Sequence, residues 1–317
     1  MPSATQTQIE RKAKAYRKTP DRWRLRQNGM LYALLLPAIA VTILFMYVPM
    51  YGIIIAFQDY QPIYGFHGSK FVGLDWFRLI FNSPDFKQIV WNTFAIAIMK
   101  IVLGQLVPLI FALLLNEVRQ MLFKRTVQTL VYFPNFLSWV IAAGIFMEIL
   151  STEGIINRIL NVFGIESIFF LGSNDWFRFT LVATDVWKGF GWGAILYLAA
   201  LAGINPELYE SAALDGAGRW KQTLHVTLPG IMPTIVLLAT LSLGGVLDAG
   251  FEQVLMLLNP AVYETGDIID TFVYRAGLQE AQFSLATAVG LFKSAIGLVL
   301  IVISYRLAYK YANYRIF

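Results

Sequence analysis

Charged side chains stand inside apolar stretches of this sequence, where they could bind a polar ligand. Asp185, Lys188 and Trp192 are spaced three and four residues apart, so a helix would place them on one face, with Trp187 beside them. An indole ring next to hydrogen-bonding groups suits a sugar, which presents apolar C–H faces and a rim of hydroxyls. Asp185 and Lys188 could equally form an ion pair that serves the structure alone.

Two more lysines, Lys100 and Lys293, lie near the middle of long apolar runs. A charge at the centre of a membrane helix costs about 2.5 to 3.5 kcal/mol on insertion scales, so it usually faces a cavity or a partner. Together with Lys188 these lysines could make a path positive enough to accept carboxylates, which favours an acidic saccharide such as a uronate oligomer. Neutralisation by carboxylates is the competing explanation, and the candidates are Glu148, Asp185 and Asp248.

Asp248 and Glu252 form a second candidate pair. They are four residues apart in the sequence, and we expect them near the outer end of a span. The alternative is that both carboxylates are simply solvated at the membrane interface.

The sequence offers little for catalysis, because it has no cysteine and only two histidines. The nearest approach to a phosphate-binding loop, residues 65–70 (GFHGSK), has the wrong spacing. We therefore expect no enzyme activity, no metal site and no cofactor bound by this chain.

Composition places these residues in a membrane protein. Of 317 residues, 57% are hydrophobic and 14% are charged, whereas the charged fraction of a soluble domain is near a quarter. A helical crossing needs about 20 mainly apolar residues, and the chain contains six such runs. They cover residues 31–57, 89–115, 126–150, 179–201, 231–251 and 283–307. The sequence thus predicts an all-α integral membrane protein with six transmembrane helices.

The distribution of basic residues predicts the orientation. Lysine and arginine are retained on the cytoplasmic side, and the tail of residues 1–29 carries many of them. With this tail inside, a six-helix transmembrane domain over residues 30–317 places both termini and the loop of residues 204–229 in the cytoplasm. The tail could also bind anionic membrane lipid, but a role in setting the topology is the simpler interpretation.

The loop of residues 204–229 is a polar island with helix signals of its own. Residues 205–207, Asn-Pro-Glu, are typical of a helix start, with an N-cap, a proline at the first position and an acid near the positive end of the dipole. We expect this helix to end before Gly216 and Gly218, and a second short helix over residues 219–226. Because such short helices are marginal alone in water, a groove on a soluble partner would stabilise them.

The spacing within this loop resembles the cytoplasmic signature of permease subunits in bacterial ATP-driven (ABC-type) importers. The matching positions are Glu210-Ser211-Ala212, Gly216, Val226 and Leu228-Pro229. Ser211 and Val226 are mild departures from the usual alanine and isoleucine. Residues 71–94 look like the outer loop and the start of the second span in carbohydrate-importer permeases. Residues 114–140 are similar to the oligosaccharide and polysaccharide branch, in particular to the first permease subunit of alginate importers.

The resemblance, over roughly residues 25–317, implies a type I ABC importer permease fold. A coupling helix within residues 206–218 would sit in a cleft of a cytoplasmic ATPase and move when ATP closes the ATPase pair. The movement would rock the membrane helices, so that an extracytoplasmic solute-binding protein releases its sugar into the exposed cavity. The implied ATPase contacts are Glu210, Ser211, Ala212, Ala213, Asp215, Gly216, Gly218 and Arg219.

The implied partners are a second homologous permease, two cytoplasmic ATPase subunits that hold ATP and Mg, and the solute-binding protein. The implied place is the bacterial cytoplasmic (inner) membrane, and the expected cargo is an oligosaccharide or polysaccharide of the alginate-like, uronate type. A homodimer of this chain is an alternative to the heterodimer. No nucleic-acid partner is expected.

Two other classes of protein were compatible with a polytopic chain. An ion-coupled secondary sugar transporter would normally show more spans, internal repeats and discontinuous helices at the membrane midplane. A non-transporting membrane scaffold would not need lysines and aspartates buried along one route. Neither class gives a reason for the loop of residues 204–229.

Overall fold

A computed structural model describes residues 29–312, with side chains described as far as Arg306. The chain divides into two units, residues 1–54 and 55–317, which are described separately. The basic tail predicted for residues 1–29, and any lipid contact it makes, lie outside the described residues apart from Gly29.

The first unit contains the first predicted span. Helix α1, Gly29–Thr42, continues through a π turn, Ile43–Tyr47, into a 3-10 segment, Val48–Phe57. The stretch from Gly29 to Phe57 contains an 18-residue window with a mean hydropathy of 2.3 and is long enough to cross a bilayer. Pro49 lacks the N–H that an α-helix needs, which accounts for the change of helix type.

The second unit opens with short outer elements. Strand β1, Gln58–Asp59, pairs antiparallel with β2, Lys70–Phe71, and helices α2, Gly65–Gly68, and α3, Asp75–Asn82, lie around them. Helix α4, Pro84–Asn116, then provides the second span. Its start is favourable because the Ser83 hydroxyl accepts a hydrogen bond from the Phe86 N–H and proline occupies the first position.

The third predicted span is broken. Helix α5, Met121–Tyr132, leads into a 3-10 turn, Phe133–Phe136, and the chain bends by 104° before helix α6, Trp139–Ile149. Pro134 cannot continue the helical hydrogen bonds, and Ser138 caps the new helix by accepting from the Ile141 N–H at 3.3 Å. The uninterrupted run expected over residues 126–150 therefore consists of two helices.

The fourth span lies in helix α8, Asn174–Ala202, which follows the short outer helix α7, Ile155–Val162. Ser173 caps α8 by accepting from the Asp175 N–H. After α8 the chain turns by 69° into helix α9, Pro206–Leu214.

The fifth span differs from the prediction at both ends. Helix α10, Arg219–Gln222, runs through a π turn into helix α11, Leu228–Gly244, so the short helix expected over residues 219–226 is joined to the span. A π turn accommodates Pro229, which has no N–H to donate. The span was expected to reach residue 251, but α11 ends at Gly244 and residues 245–250 are not helical.

Short helices then lead to the sixth span. They are α12, Phe251–Leu257, α13, Tyr263–Gly266, and α14, Ile269–Tyr274, and helix α15 covers Phe283–Ala312. By length and composition four helices of the described residues can cross a membrane, and the two bent pairs raise the number to six. The predicted all-α membrane architecture is confirmed.

Helices α4 and α8 pack along one another and carry the core of the second unit. Ile96 of α4 packs with Phe177 and Leu181, in the N-terminal part of α8, and with Val254 of α12. Toward the cytoplasmic end, the buried apolar cluster comprises Ala112, Ala194, Tyr197, Leu201 and Ile231. The α4–α8 pair thus positions Lys100, Gln105 and Asp185, which line the cavity described below.

Candidate functional site

Helix α9 has well-defined ends. The Asn205 side-chain oxygen accepts from the Glu207 N–H at 3.1 Å. At the other end, the N–H of Gly216, which has a φ of 76°, donates to the Ala213 carbonyl at 3.0 Å, and the Ala217 N–H donates to the Ala212 carbonyl at 2.9 Å. These two bonds form a Schellman motif, which favours glycine at this position. The helix begins and ends where the sequence predicts.

Side-chain contacts tie α9 to the start of the fifth span. The Tyr209 hydroxyl lies 3.0 Å from the Thr227 hydroxyl oxygen, and the Gln222 amide donates to the Ala217 carbonyl at 2.9 Å. Arg219 also lies 3.8 Å from Glu117 of the preceding cytoplasmic loop, with both side chains largely exposed. A displacement of α9 would therefore be passed to the membrane helix that follows it.

The residues assigned to ATPase contact lie on the surface of this segment. The exposed ones are Glu210, Ser211, Ala213, Asp215, Gly216, Gly218 and Arg219, and Ala212 is half-buried. Two apolar side chains outside that assignment are exposed as well, Leu214 at 90% and Trp220 at 75%. Large apolar side chains beside charged ones on a cytoplasmic surface indicate a contact area for another protein.

A polar cavity of about 300 Å³ lies between α4, α8 and the non-helical residues 245–250. Lys100 on its wall is 16 residues from either end of α4, about 24 Å at the rise of an α-helix. The cavity thus lies near the middle of the span. Its lining consists of Ala97, Lys100, Ile101, Gly104, Gln105, Asp185, Ser242, Asp248 and Gly250.

Lys100 is buried and fully paired. Its ammonium group donates to the Ala249 carbonyl at 2.7 Å and to the Gln253 side-chain oxygen, and it lies 3.3 Å from a carboxylate oxygen of Asp185. Each of its three hydrogens therefore has an oxygen within reach. The Ala249 carbonyl belongs to the non-helical break after α11. The lysine therefore donates a hydrogen bond to a backbone oxygen that lies outside the helix.

Gln253 fixes the position of that ammonium group. Its side chain is fully buried, and its NH₂ group donates to the Leu181 carbonyl and to the Thr184 hydroxyl, both at 2.7 Å. With both amide hydrogens used, the amide oxygen must face Lys100. Gly250, with a φ of 86°, leaves the necessary space, because a Cβ there would stand 2.5 Å from the lysine nitrogen.

The three acidic candidates, Asp185, Asp248 and Glu252, occupy different positions in the structure. Asp185 lines the cavity with its side chain 34% exposed, and it pairs with Lys100 rather than with Lys188. Asp248 also lines the cavity and accepts from the Gly250 N–H at 3.2 Å. Glu252 does not share a helix with Asp248, because it lies beyond the break, exposed on α12. The pair expected on one helical face is therefore divided.

Lys188 lies at the break of the third span. Its ammonium group donates to the Asn135 carbonyl at 3.1 Å and sits 5.3 Å from the centre of the Trp139 ring. Trp187 and Trp192 are 44% and 51% exposed. Each makes an edge-to-face contact with the broken span, Trp187 with Phe146 and Trp192 with Phe136.

Lys293 contacts a carboxylate that sequence reasoning did not consider. Its ammonium group lies 2.5 and 2.7 Å from the two oxygens of Asp270 on α14. Glu148, proposed as a neutralising partner, forms no ion pair among the described residues. Within that part of the chain there is also no group of three metal-ligating side chains.

Sequence reasoning missed the uncharged polar residues of the site. Gln105 donates to the Ser242 hydroxyl at 2.8 Å and accepts from the Tyr197 hydroxyl, which links α4, α8 and α11 below Lys100. Gln253 was overlooked in the same way. The available signal was a glutamine within an apolar run, since burying an amide requires partners for all of its hydrogen-bonding groups.

Comparisons with known proteins agree with this geometry. The family described as binding-protein-dependent transport system inner membrane component matches residues 104–315. The polygalacturonan/rhamnogalacturonan transport system permease protein of Bacillus subtilis (strain 168) is 46% identical, over 92% of this chain and 91% of that protein.

Two solved structures are similar over almost the whole chain. One is a bacterial ABC transporter involved in the import of the acidic polysaccharide alginate, with a TM-score of 0.85 and 38% identity over 92% of this chain and 99% of that one. The other is a bacterial alginate ABC transporter in complex with alginate pentasaccharide-bound periplasmic protein, with a TM-score of 0.84 and 38% identity over 91% and 97%. The chain belongs to the binding-protein-dependent transport family, whose members are the inner-membrane permease subunits of ABC importers.

Proposed function

We propose that this permease forms half of the translocation path for an acidic oligosaccharide in an ATP-driven importer. A second, homologous permease completes the path, two cytoplasmic subunits bind ATP and Mg, and an extracytoplasmic binding protein delivers the saccharide. The observation that carries the proposal is the polar cavity at mid-span, which is bordered by the break after α11 and connected through α11 to an exposed cytoplasmic helix.

The cytoplasmic part of the proposal rests on α9. Leu214 and Trp220 offer apolar contact area, and Glu210 and Asp215 offer charged contacts at its edge. The helix is capped at both ends and bonded to the π turn before α11. A cleft of an ATPase that closes on α9 would therefore move the fifth span, whose far end borders the cavity.

The size of the cavity supports the proposal of a second permease. Ligand pockets for drug-sized molecules run from about 300 to 1,000 Å³, and the cavity here, at about 300 Å³, is at the lower limit. An oligosaccharide needs a longer path, and a second subunit would supply the opposite wall. The resemblance favours a homologous second chain over a copy of this one.

The acidic nature of the cargo is supported by two observations. The relative in Bacillus subtilis is described as a polygalacturonan permease and the two similar structures as alginate importers, and both polymers are built from uronates. Lys188 also lies at mid-span in α8 without a carboxylate partner among the described residues, and a neutral cargo would give no reason to maintain a charge there.

ATP-dependent uptake of an oligogalacturonate tests the proposal. The complete complex, with both permeases, the ATPase and the binding protein, is reconstituted in liposomes, and uptake is compared with that of a neutral oligosaccharide of equal length. We expect uptake of the acidic sugar only, and none when the ATPase carries a hydrolysis-dead substitution. Equal uptake of both sugars would overturn the acidic cargo, and uptake with the inactive ATPase would instead support an ion-coupled transporter.

A further inference from the structure

The three lysines within the spans differ in how their charge is compensated. Lys100 pairs with Asp185 at 3.3 Å, and Lys293 pairs with Asp270 at 2.5 Å. For Lys188, no carboxylate lies within ion-pair distance among the described residues. Two of the three charges are thus neutralised inside the protein, and one is not.

Lys188 is placed where an unneutralised charge is most costly. It lies 14 residues from either end of α8, about 21 Å at 1.5 Å per residue. Among residues 29–306, its ammonium group contacts the Asn135 carbonyl oxygen and the face of Trp139. The carbonyl occupies one of the three ammonium hydrogens, so two remain available to a ligand.

A structural role alone does not account for a lysine here. The Asn135 carbonyl belongs to the turn that ends the first half of the third span, and a neutral donor would satisfy it without placing a charge in the membrane. The charge therefore points to a function beyond that hydrogen bond.

An exposed aromatic ring lies one helical turn along α8 from Lys188. Trp192 is four residues further along α8, on the same face, and its ring is 51% exposed. Phe136, 71% exposed, meets the Trp192 ring edge to face with their centres 5.9 Å apart. An exposed indole held in position by a second ring offers a flat apolar surface one helical turn from an ammonium group.

We propose that Lys188 is the residue that selects for the carboxylate of an acidic saccharide, whose sugar ring stacks on Trp192. Lys100 and Lys293 do not contribute to selectivity for the charge of the cargo, because each forms an ion pair with an aspartate. Lys100 instead positions the break after α11 through the Ala249 carbonyl and Gln253. This inference rests on the proposed function and assigns its specificity to one side chain.

The test measures uptake of an oligogalacturonate and of its neutral methyl ester by the complete reconstituted complex, with the same binding protein at saturating concentration. Lys188→Gln keeps a donor for the Asn135 carbonyl but removes the charge. We expect it to lower uptake of the acid relative to the ester by about tenfold or more, the size typical of a hydrogen bond to a charged group. Lys188→Arg, which keeps the charge, should retain most of the preference.

A matched control removes a charge that is already neutralised. The double variant Lys293→Gln/Asp270→Asn should leave the ratio of acid to ester uptake unchanged. If Lys188→Gln lowers uptake of both sugars equally, or if Lys188→Arg loses the preference as completely, Lys188 only supports the helix break and the inference is wrong. If the wild-type complex itself takes up the ester as fast as the acid, the acidic-cargo proposal is what fails.

Discussion

Leu214→Asp should lower ATP-driven uptake by at least about 30-fold, the loss that corresponds to a hot-spot contact of 2 kcal/mol or more. Leu214 is the most exposed large apolar side chain of the described residues, at 90%. Its replacement leaves the packing of the membrane helices untouched, so the loss would reflect a contact with another subunit. Uptake by reconstituted complexes and co-purification of the ATPase with the permease measure the effect.

Leu214→Met is the matched control for that substitution. It keeps an apolar side chain of similar volume at the same position, so uptake and ATPase association should remain near the wild-type values. If Leu214→Asp also leaves both unchanged, α9 does not dock on the ATPase through this residue, and the coupling surface must lie elsewhere.

Arg275→Met should destabilise the second unit by about 3 to 5 kcal/mol, as expected when one partner of a buried ion pair is removed. Arg275 donates to both carboxylate oxygens of Asp267, at 3.3 and 2.5 Å, and the side chains are 22% and 4% exposed. The substitution would leave the Asp267 carboxylate buried with the Thr271 hydroxyl, at 2.7 Å, as its only side-chain donor among the described residues. Thermal unfolding of the detergent-solubilised permease measures the loss.

Two further variants separate the charge effect from a packing effect. Arg275→Met/Asp267→Leu removes both charges and should recover much of the stability. Arg78→Met breaks an exposed pair with Asp75, in which the side chains are 76% and 64% exposed, and should change stability by less than about 1 kcal/mol. A loss for Arg275→Met no greater than that for Arg78→Met would contradict the role assigned to the Asp267 pair.

The contribution of Arg275 should not vary with pH near neutrality. Burial acts to lower the pKa of Arg275, but the hydrogen bond and negative charge of Asp267 more than offset it, so the pKa lies above its ordinary value. A raised pKa in the folded state gives stability that is fully present below the unfolded-state pKa and lost only as the pH rises through the folded-state value. Both values lie far above the neutral range.

Much of the architecture could be predicted from hydrophobic run length, because a bilayer imposes one requirement on every crossing. The ends of α9 were equally predictable, since the Asn205 cap and Gly216 act through local geometry. The positions at which the spans break could not be predicted in this way. Pro134 and Ser138 mark one of them, yet prolines at 37 and 108 lie within continuous helices, so a proline alone does not show where a span divides.

The pairing of buried charges was beyond sequence reasoning for a related reason. Asp185 lies three residues from Lys188 on one helix, and the alternative of a local ion pair was reasonable. The structure instead turns Asp185 toward Lys100 on α4, a partner chosen by the packing of α8 on α4. Asp270 was not recognisable as the partner of Lys293 because it lies on a short helix outside the apolar runs.

The broken helices are also the structural basis of the site. Non-helical backbone is tolerated at membrane depth where it is buried in protein or borders a cavity, and the break after α11 borders the cavity directly. Lys100 and Lys188 each donate to a carbonyl at such a break. Both lysines thus stabilise a helix break through a backbone carbonyl. Only Lys188 has a charge that no carboxylate of the described residues neutralises, so it can interact with a ligand.

A structure of the assembled complex, trapped with an oligogalacturonate during ATP hydrolysis and determined by electron cryo-microscopy, tests the central claim most directly. We predict that α9 lies in a cleft of the ATPase with Leu214 covered, and that the saccharide lies between the two permeases along the face of α8 that carries Lys188 and Trp192. An α9 that remains open to solvent, together with a saccharide bound away from α8, would contradict the account.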